Sequence, residues 1–230
     1  MEDLMNNFFA APTNEWNDNA VRLTPTGIVT VAAVIGLLIV IALLMRYRQS
    51  HSRKLTTRQL VFSAAAMALA LVTSMVKLFE MPMGGSVTLL SMLFIVLIGY
   101  WFGPYAGLMT AIAYGLLQFV LEPVFYTVPQ MLTDYPLAFG ALGLSGFFNR
   151  QKYGLVKGYL AGVLGRYFFS FLSGVIFFAS YAPETMAAPI YSLAYNGSYL
   201  GAEAAITLIL LSLPPVSKAL AQVKQMALEE

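Results

Sequence analysis

Seven stretches of this chain, at about 27–45, 60–78, 86–101, 104–121, 128–148, 156–180 and 189–213, are almost wholly apolar. Crossing roughly 30 Å of hydrocarbon takes about 20 residues as a helix, so each stretch is a candidate membrane span. The third is short and is expected to be little tilted or to begin in a buried loop. Turn signals separate the runs: Pro82-Met83-Gly84-Gly85, Gly103-Pro104, Glu122-Pro123 and Tyr181-Ala182-Pro183. Composition agrees, with 59% hydrophobic and 10% charged residues and a mean hydropathy of +0.72. Soluble domains run near 45–50% apolar and about 25% charged, and a water-soluble fold cannot hide this much apolar surface. The first run is read as a retained helix, because its basic residues follow the apolar stretch and no small-residue cleavage site is evident. The expected fold is therefore an all-α integral membrane protein with seven crossings.

Lysine and arginine favour the cytoplasmic side. Arg46, Arg48, Arg53, Lys54 and Arg58 lie between the first two runs, Arg150, Lys152 and Lys157 between the fifth and sixth, and Lys218 and Lys224 after the seventh. Ten of the 13 basic residues thus fall on one side when the crossings alternate, which places the N-terminus outside and the C-terminus inside. Glu2, Asp3, Glu15, Asp18, Glu80, Glu122 and Glu184 then lie outside, against only Arg22 and Lys77.

Several kinds of chemistry find no support. Cysteine is absent, which removes disulfides, thiolate nucleophiles and cysteine-ligated metals together. The single histidine, His51, lies in the basic stretch from Arg46 to Arg58 and reads as a solvated linker residue. No HExxH sequence, paired-carboxylate arrangement or phosphate-binding loop can be placed, and Gly143 to Gly146 is too short a glycine signal to count. The expectation is no enzyme, no metal and no cofactor; a net charge of +2 gives no reason to expect nucleic acid. Without a nucleotide site, uphill transport needs an ion gradient or a separate motor.

Small residues recur every four positions at Gly99, Gly103, Gly107, Ala111 and Gly115, and again at Gly154, Gly158 and Gly162. Such faces let backbones approach closely, and internal packing is the expected use. A further small face, Ser63 to Ala70, opens the second run and suits either internal packing or a partner subunit.

Ionisable groups inside a bilayer are costly and mark function by default; here they are Asp134, Arg166 and Glu203. Asp134 falls about six residues into the fifth run from its outer end, with Gln130 on the same helical face and Tyr135 and Pro136 beside it. Pro136 frees a backbone carbonyl and can open a local cavity. Asp134 is read as a ligand contact or as the partner of Arg166. Tyr191, Tyr195 and Tyr199 form an i, i+4, i+8 stripe in the seventh run, near Asn196. Tyr181 and Tyr199 are read as interfacial anchors. A carboxylate among aromatic faces suits a flat cationic or polar heterocycle, in a pocket open to the outside.

From Met83 to about Leu211 the chain resembles the thiamin-specific S components, the substrate-binding subunits of energy-coupling factor vitamin transporters. The stretches that carry the resemblance are Gly84-Gly85-Ser86-Val87-Thr88 with Ser91-Met92, Leu132-Thr133-Asp134-Tyr135-Pro136-Leu137-Ala138-Phe139, Gly165-Arg166-Tyr167-Phe168-Phe169-Ser170-Phe171-Leu172-Ser173-Gly174, and Tyr191-Ser192-Leu193-Ala194-Tyr195-Asn196-Gly197. The resemblance implies a six-helix core at 59–217, a first unit at 1–58 comprising an outer segment, an extra N-terminal helix and a basic linker, and a cytoplasmic tail at 218–230.

It further implies a ligand site near the outer face. Asp134 stands where an acidic residue meets the positively charged thiazolium, with Tyr135 beside it; Tyr191 and Asn196 match a stacking tyrosine and a hydrogen-bonding asparagine. Phe178 stands where members carry a tryptophan. Two positions depart further: Ser170 replaces a ligand-contacting histidine, and Gly84 aligns with a tryptophan of the loop that covers the pocket. A lost stacking ring forfeits ~1 kcal/mol or more beyond burial. The family implies as partners thiamin, a membrane scaffold subunit and two ATPase subunits, with docking at the small face that includes Ala64 and Ala68. The alternatives are an S component for a pyridoxine-like or pyrimidine compound, and a membrane sensor or assembly protein.

Overall fold

The computed structural model describes residues 10–12, 21–23 and 55–229. The chain divides into two units, residues 1–54 with 171–193 and residues 55–170 with 194–230. In the first unit, β1 (Ala10–Pro12) pairs antiparallel with β2 (Val21–Leu23). The expected first crossing, 27–45, lies outside the described residues.

The second unit begins with α1 (Thr57–Ser74). Thr56 caps it: its hydroxyl accepts from the Gln59 N–H at 3.2 Å while the Gln59 side chain accepts from the Thr56 N–H at 3.1 Å, so two orphan donors of the helix start are satisfied reciprocally. The helix buries Ser63, Ala66 and Ala70 and leaves Ala64, Ala65 and Ala68 exposed. The small face foreseen in the sequence therefore splits between the core and the outside.

The expected second run does not stay helical to residue 78. Residues Lys77–Glu80 form β3, paired antiparallel with β4 (Ser86–Thr88) through a 3-10 turn at Pro82–Gly84. Pro82 opens the 3-10 turn between the strands, and Lys77 pairs with Glu80 at 3.0 Å and with the distant Glu122 at 3.5 Å. The third run accordingly starts as a strand and becomes the 12-residue α2 (Ser91–Phe102), as its shortness suggested.

Gly103, at φ +93°, turns the chain directly into α3 (Pro104–Leu121), whose first residue is proline. That φ is open to glycine at no steric cost, and proline suits a first helical position. In lipid the hydrophobic effect does little to join helices, so close van der Waals fit has to. A β-carbon on Gly107 would stand 2.5 Å from the Gly99 Cα, and one on Gly115 would stand 2.4 Å from the Tyr135 carbonyl oxygen. The four-residue glycine series is thus an internal packing device. Polar ties add to it: Thr110 donates to Ser63 at 2.9 Å, Tyr114 to the Ala70 carbonyl at 3.2 Å, and Ser145 to the Val96 carbonyl at 2.8 Å. Ile95, Ile98, Tyr114, Leu142 and Tyr159 centre the buried core.

The fifth run is helical but broken. It starts as α4 (Val128–Leu132), widens to a π turn at Thr133–Leu137, passes through α5 (Ala138–Gly140) and tightens to a 3-10 helix at Ala141–Phe148. Pro136 lies inside the π turn, and the Ala138 N–H reaches back five residues to the Thr133 carbonyl. The two remaining runs give α6 (Gly154–Phe177) and α7 (Ala188–Ser212). The chain then bends by 85° into α8 (Pro214–Leu228). This helix takes up most of the segment expected as a tail; Pro214 and Pro215 begin it rather than ending structure. Among the described residues, α1, α3 and α6 are long and apolar enough to cross a membrane, with α7 and α8 together as a fourth.

Candidate functional site

The π turn sets the stage for Asp134. A π turn widens the backbone ring and occurs frequently at functional sites. Here half-buried Asp134 accepts a 2.6 Å hydrogen bond from the Gln130 side-chain amide. Gln130 is fully buried, and it is itself fixed by the Val124 carbonyl at 3.1 Å and the Tyr126 N–H at 3.0 Å. The carboxylate is therefore held by a side chain that has no freedom of its own. Tyr135 points its hydroxyl elsewhere: it donates to the Glu122 carbonyl and accepts from the Val124 N–H, both at 2.8 Å, with its ring edge-on to Phe119. The same residue that flanks Asp134 in sequence thus pins the 122–124 loop.

Arg166 does not pair with Glu203. Its guanidinium lies 4.1 Å from the centroid of the Phe139 ring, a cation–π contact. Glu203 is buried and accepts from the Thr88 N–H at 3.1 Å, the Thr88 hydroxyl at 2.6 Å and the Met92 N–H at 3.2 Å, with the Ser91 hydroxyl at 3.3 Å. This explains an odd helix start. Leu90, the N-cap of α2, sits at φ +64° and offers no side-chain cap, so a carboxyl group 111 residues away in sequence takes the orphan donor. A negative group at a helix N-terminus also suits the helix dipole. Glu203 is a structural residue.

On α7, one turn before Glu203, Tyr199 donates to the Asn196 side-chain oxygen at 2.9 Å, and the Asn196 amide donates to the Ser170 carbonyl at 3.3 Å. Asn196 is buried. Tyr199 lies beside Ser170 and within electrostatic range of Arg166 and Asp134. Its expected role as an interfacial anchor gives way to an inward one, in which it orients Asn196. Gly84, at φ +91°, is exposed with open space around its α-carbon. The left-handed backbone there suits glycine. In the first unit, Phe178 stacks on Tyr181 at 6.0 Å and 27°, and Tyr191 lies half-buried in the first turns of α7. Sequence reasoning missed the tie between α7 and the β3–β4 hairpin. A hint was available in Thr88 and Ser91, two hydroxyls spaced around a helix start with no capping residue at Leu90.

Apolar helices of spanning length, packed with a broken helix that holds a carboxylate on its π turn, define a polytopic α-helical membrane protein. The family model described as Thiamine transporter protein (Thia_YuaJ) matches residues 60–222, and the chain belongs to that family. The Thiamine transporter ThiT of Bacillus subtilis (strain 168) is 36% identical over 154 residues, 61% of this chain and 79% of that protein. The Thiamine transporter ThiT of Lacticaseibacillus paracasei is 33% identical over 91 residues, 34% of this chain and 43% of that protein. A solved structure of ThiT from Listeria monocytogenes shares the fold, with a TM-score of 0.52 and 24% identity over 69% of this chain and 93% of that one. The family is one of transporters rather than enzymes, and the chain is a multi-pass protein of the bacterial cell membrane.

Proposed function

We propose that this chain is the substrate-binding S component of a thiamin uptake system, with Asp134 as the charge partner of the thiazolium cation. The observation that carries this is the carboxylate of Asp134, fixed on a π turn by buried Gln130 in a chain of the thiamine transporter family. A membrane carboxylate with rigid second contacts is suited to an organic cation, because its position is fixed before the ligand arrives and little ordering cost remains on binding. Asn196, oriented by Tyr199, supplies a buried amide for a ligand hydrogen bond. Ser170 contributes a smaller polar side chain, and Gly84 leaves room in the 82–85 turn. Tyr135 is assigned to holding the loop next to Asp134. Tyr191 and Phe178 are ligand residues on the family resemblance alone.

On this reading the six core segments and an extra N-terminal helix make seven crossings, with the N-terminus outside and the C-terminus inside. Transport is driven by a separate scaffold subunit and two ATPase subunits, which dock on the exposed face of Ala64 and Ala68. Uptake of labelled thiamin by a bacterial host without its own thiamin transporter tests this. Accumulation is expected when the chain is expressed together with an energy-coupling module and not when either is expressed alone. No accumulation with both present, although the two co-purify, overturns the transport reading.

A further inference from the structure

The β3–β4 hairpin has little to hold it in place by itself. All four β3 residues are exposed, Leu78 and Phe79 among them, and an isolated two-stranded hairpin is marginal at best. Its position is imposed by α7. At the base, Glu203 holds Thr88. At the tip, the Tyr195 hydroxyl accepts from the Gly85 N–H at 2.9 Å and donates to the Pro82 carbonyl, so one phenol bridges both sides of the turn. The turn is also closed by the Met81 N–H on the Gly85 carbonyl at 2.7 Å, and Ser198 reaches the Met81 sulfur at 3.2 Å.

The fit at Gly85 is close. A β-carbon there would lie 2.8 Å from the Tyr195 hydroxyl oxygen and 2.9 Å from a ring carbon of Tyr199. Tyr195 and Tyr199 meet edge to face at 5.9 Å, and Tyr199 in turn donates to Asn196. The seat of the turn and the orientation of Asn196 therefore share two side chains.

We propose that Tyr195 is a positioning residue for ligand binding: its hydroxyl latches the 82–85 turn onto α7, and the Tyr195–Tyr199 pair transmits the seated position to Asn196. The strength of the latch then sets how long the ligand stays, with little effect on how fast it arrives. This rests on the thiamin-binding reading above, and it adds a residue that contacts the loop instead of the ligand.

The test compares wild type, Tyr195→Phe and Gly85→Ala in detergent, by thiamin association and dissociation rates and by hydrogen exchange in the 81–86 segment without ligand. Tyr195→Phe keeps the ring and removes both hydrogen bonds of the hydroxyl. It is expected to speed dissociation and 81–86 exchange by roughly tenfold, leaving the association rate within about twofold. Gly85→Ala keeps the hydroxyl but unseats the turn, and is expected to move both readouts in the same direction. Unchanged exchange in Tyr195→Phe, or an unchanged dissociation rate with wild type binding normally, overturns the proposal. Failure of the wild type to bind thiamin at all, with exchange accelerated in both variants, instead counts against the thiamin reading and leaves the latch supported.

Discussion

Replacing Glu203 should unseat the start of α2 and the base of the hairpin together. In Glu203→Ala the two hydroxyls of Thr88 and Ser91, 2.7 Å apart, can still satisfy each other, but the Thr88 and Met92 N–H groups lose their acceptor. An orphaned buried donor costs about 1–3 kcal/mol, so the substitution is expected to cost roughly 2–6 kcal/mol. Glu203→Gln keeps one oxygen and turns an amide NH2 toward the remaining backbone donor, which halves the loss. At about 2–4 °C per kcal/mol for a chain of this size, the melting temperature should fall roughly 5–20 °C for alanine and about half that for glutamine. The strain at Leu90 adds weight, since a lone left-handed residue costs about 1–2 kcal/mol and something must hold it there. The assay is thermal unfolding of the ligand-free protein in one detergent, with both variants beside wild type. A fall of less than about 2 °C in Glu203→Ala, or a larger fall for glutamine than for alanine, refutes the capping account.

Other substitutions probe the remaining parts. Gly115→Ala places a β-carbon against the Tyr135 carbonyl, so overpacking of about 1–3 kcal/mol is expected, together with weaker thiamin binding because the displaced π turn carries Asp134; melting and titration of the same sample check both. Gln130→Leu removes the donor to Asp134 and should weaken thiamin binding roughly 5- to 20-fold, measured by titration. Ala68→Leu alters an exposed position, so melting temperature and thiamin affinity should stay within about 2 °C and twofold while module-dependent uptake falls; unchanged uptake would remove this face from the docking surface.

How much of this was legible in the sequence depends on how far apart the partners lie. Asp134 stood out as a candidate because a carboxylate in an apolar run is costly, and its contact with Gln130 was legible as an i, i+4 relation on one helix. The break at Pro136 was legible for the same local reason. The hairpin was not, because Lys77–Glu80 and Ser86–Thr88 merge into the apolar runs on either side and their pairing depends on a turn. Glu203 was visible as a charge in an apolar run but not as a cap, since its donors lie more than 100 residues away. In the sequence Tyr199 reads as an interfacial anchor because a tyrosine serves either an anchoring or an inward role; it lies midway along α7, and its hydrogen bond to Asn196 gives it the inward one.

On the proposed function, the chain binds thiamin through the carboxylate of Asp134, held on the π turn at Thr133–Leu137. Isothermal titration of thiamin into the detergent-purified chain, with Asp134→Asn alongside, tests it most directly. Wild type is expected to bind saturably and the variant to lose at least about tenfold in affinity, corresponding to roughly 1.4 kcal/mol or more of cation–carboxylate interaction, with ligand-free melting little changed. Folded wild-type protein that takes up no thiamin, or equal affinity in the two proteins, would contradict it.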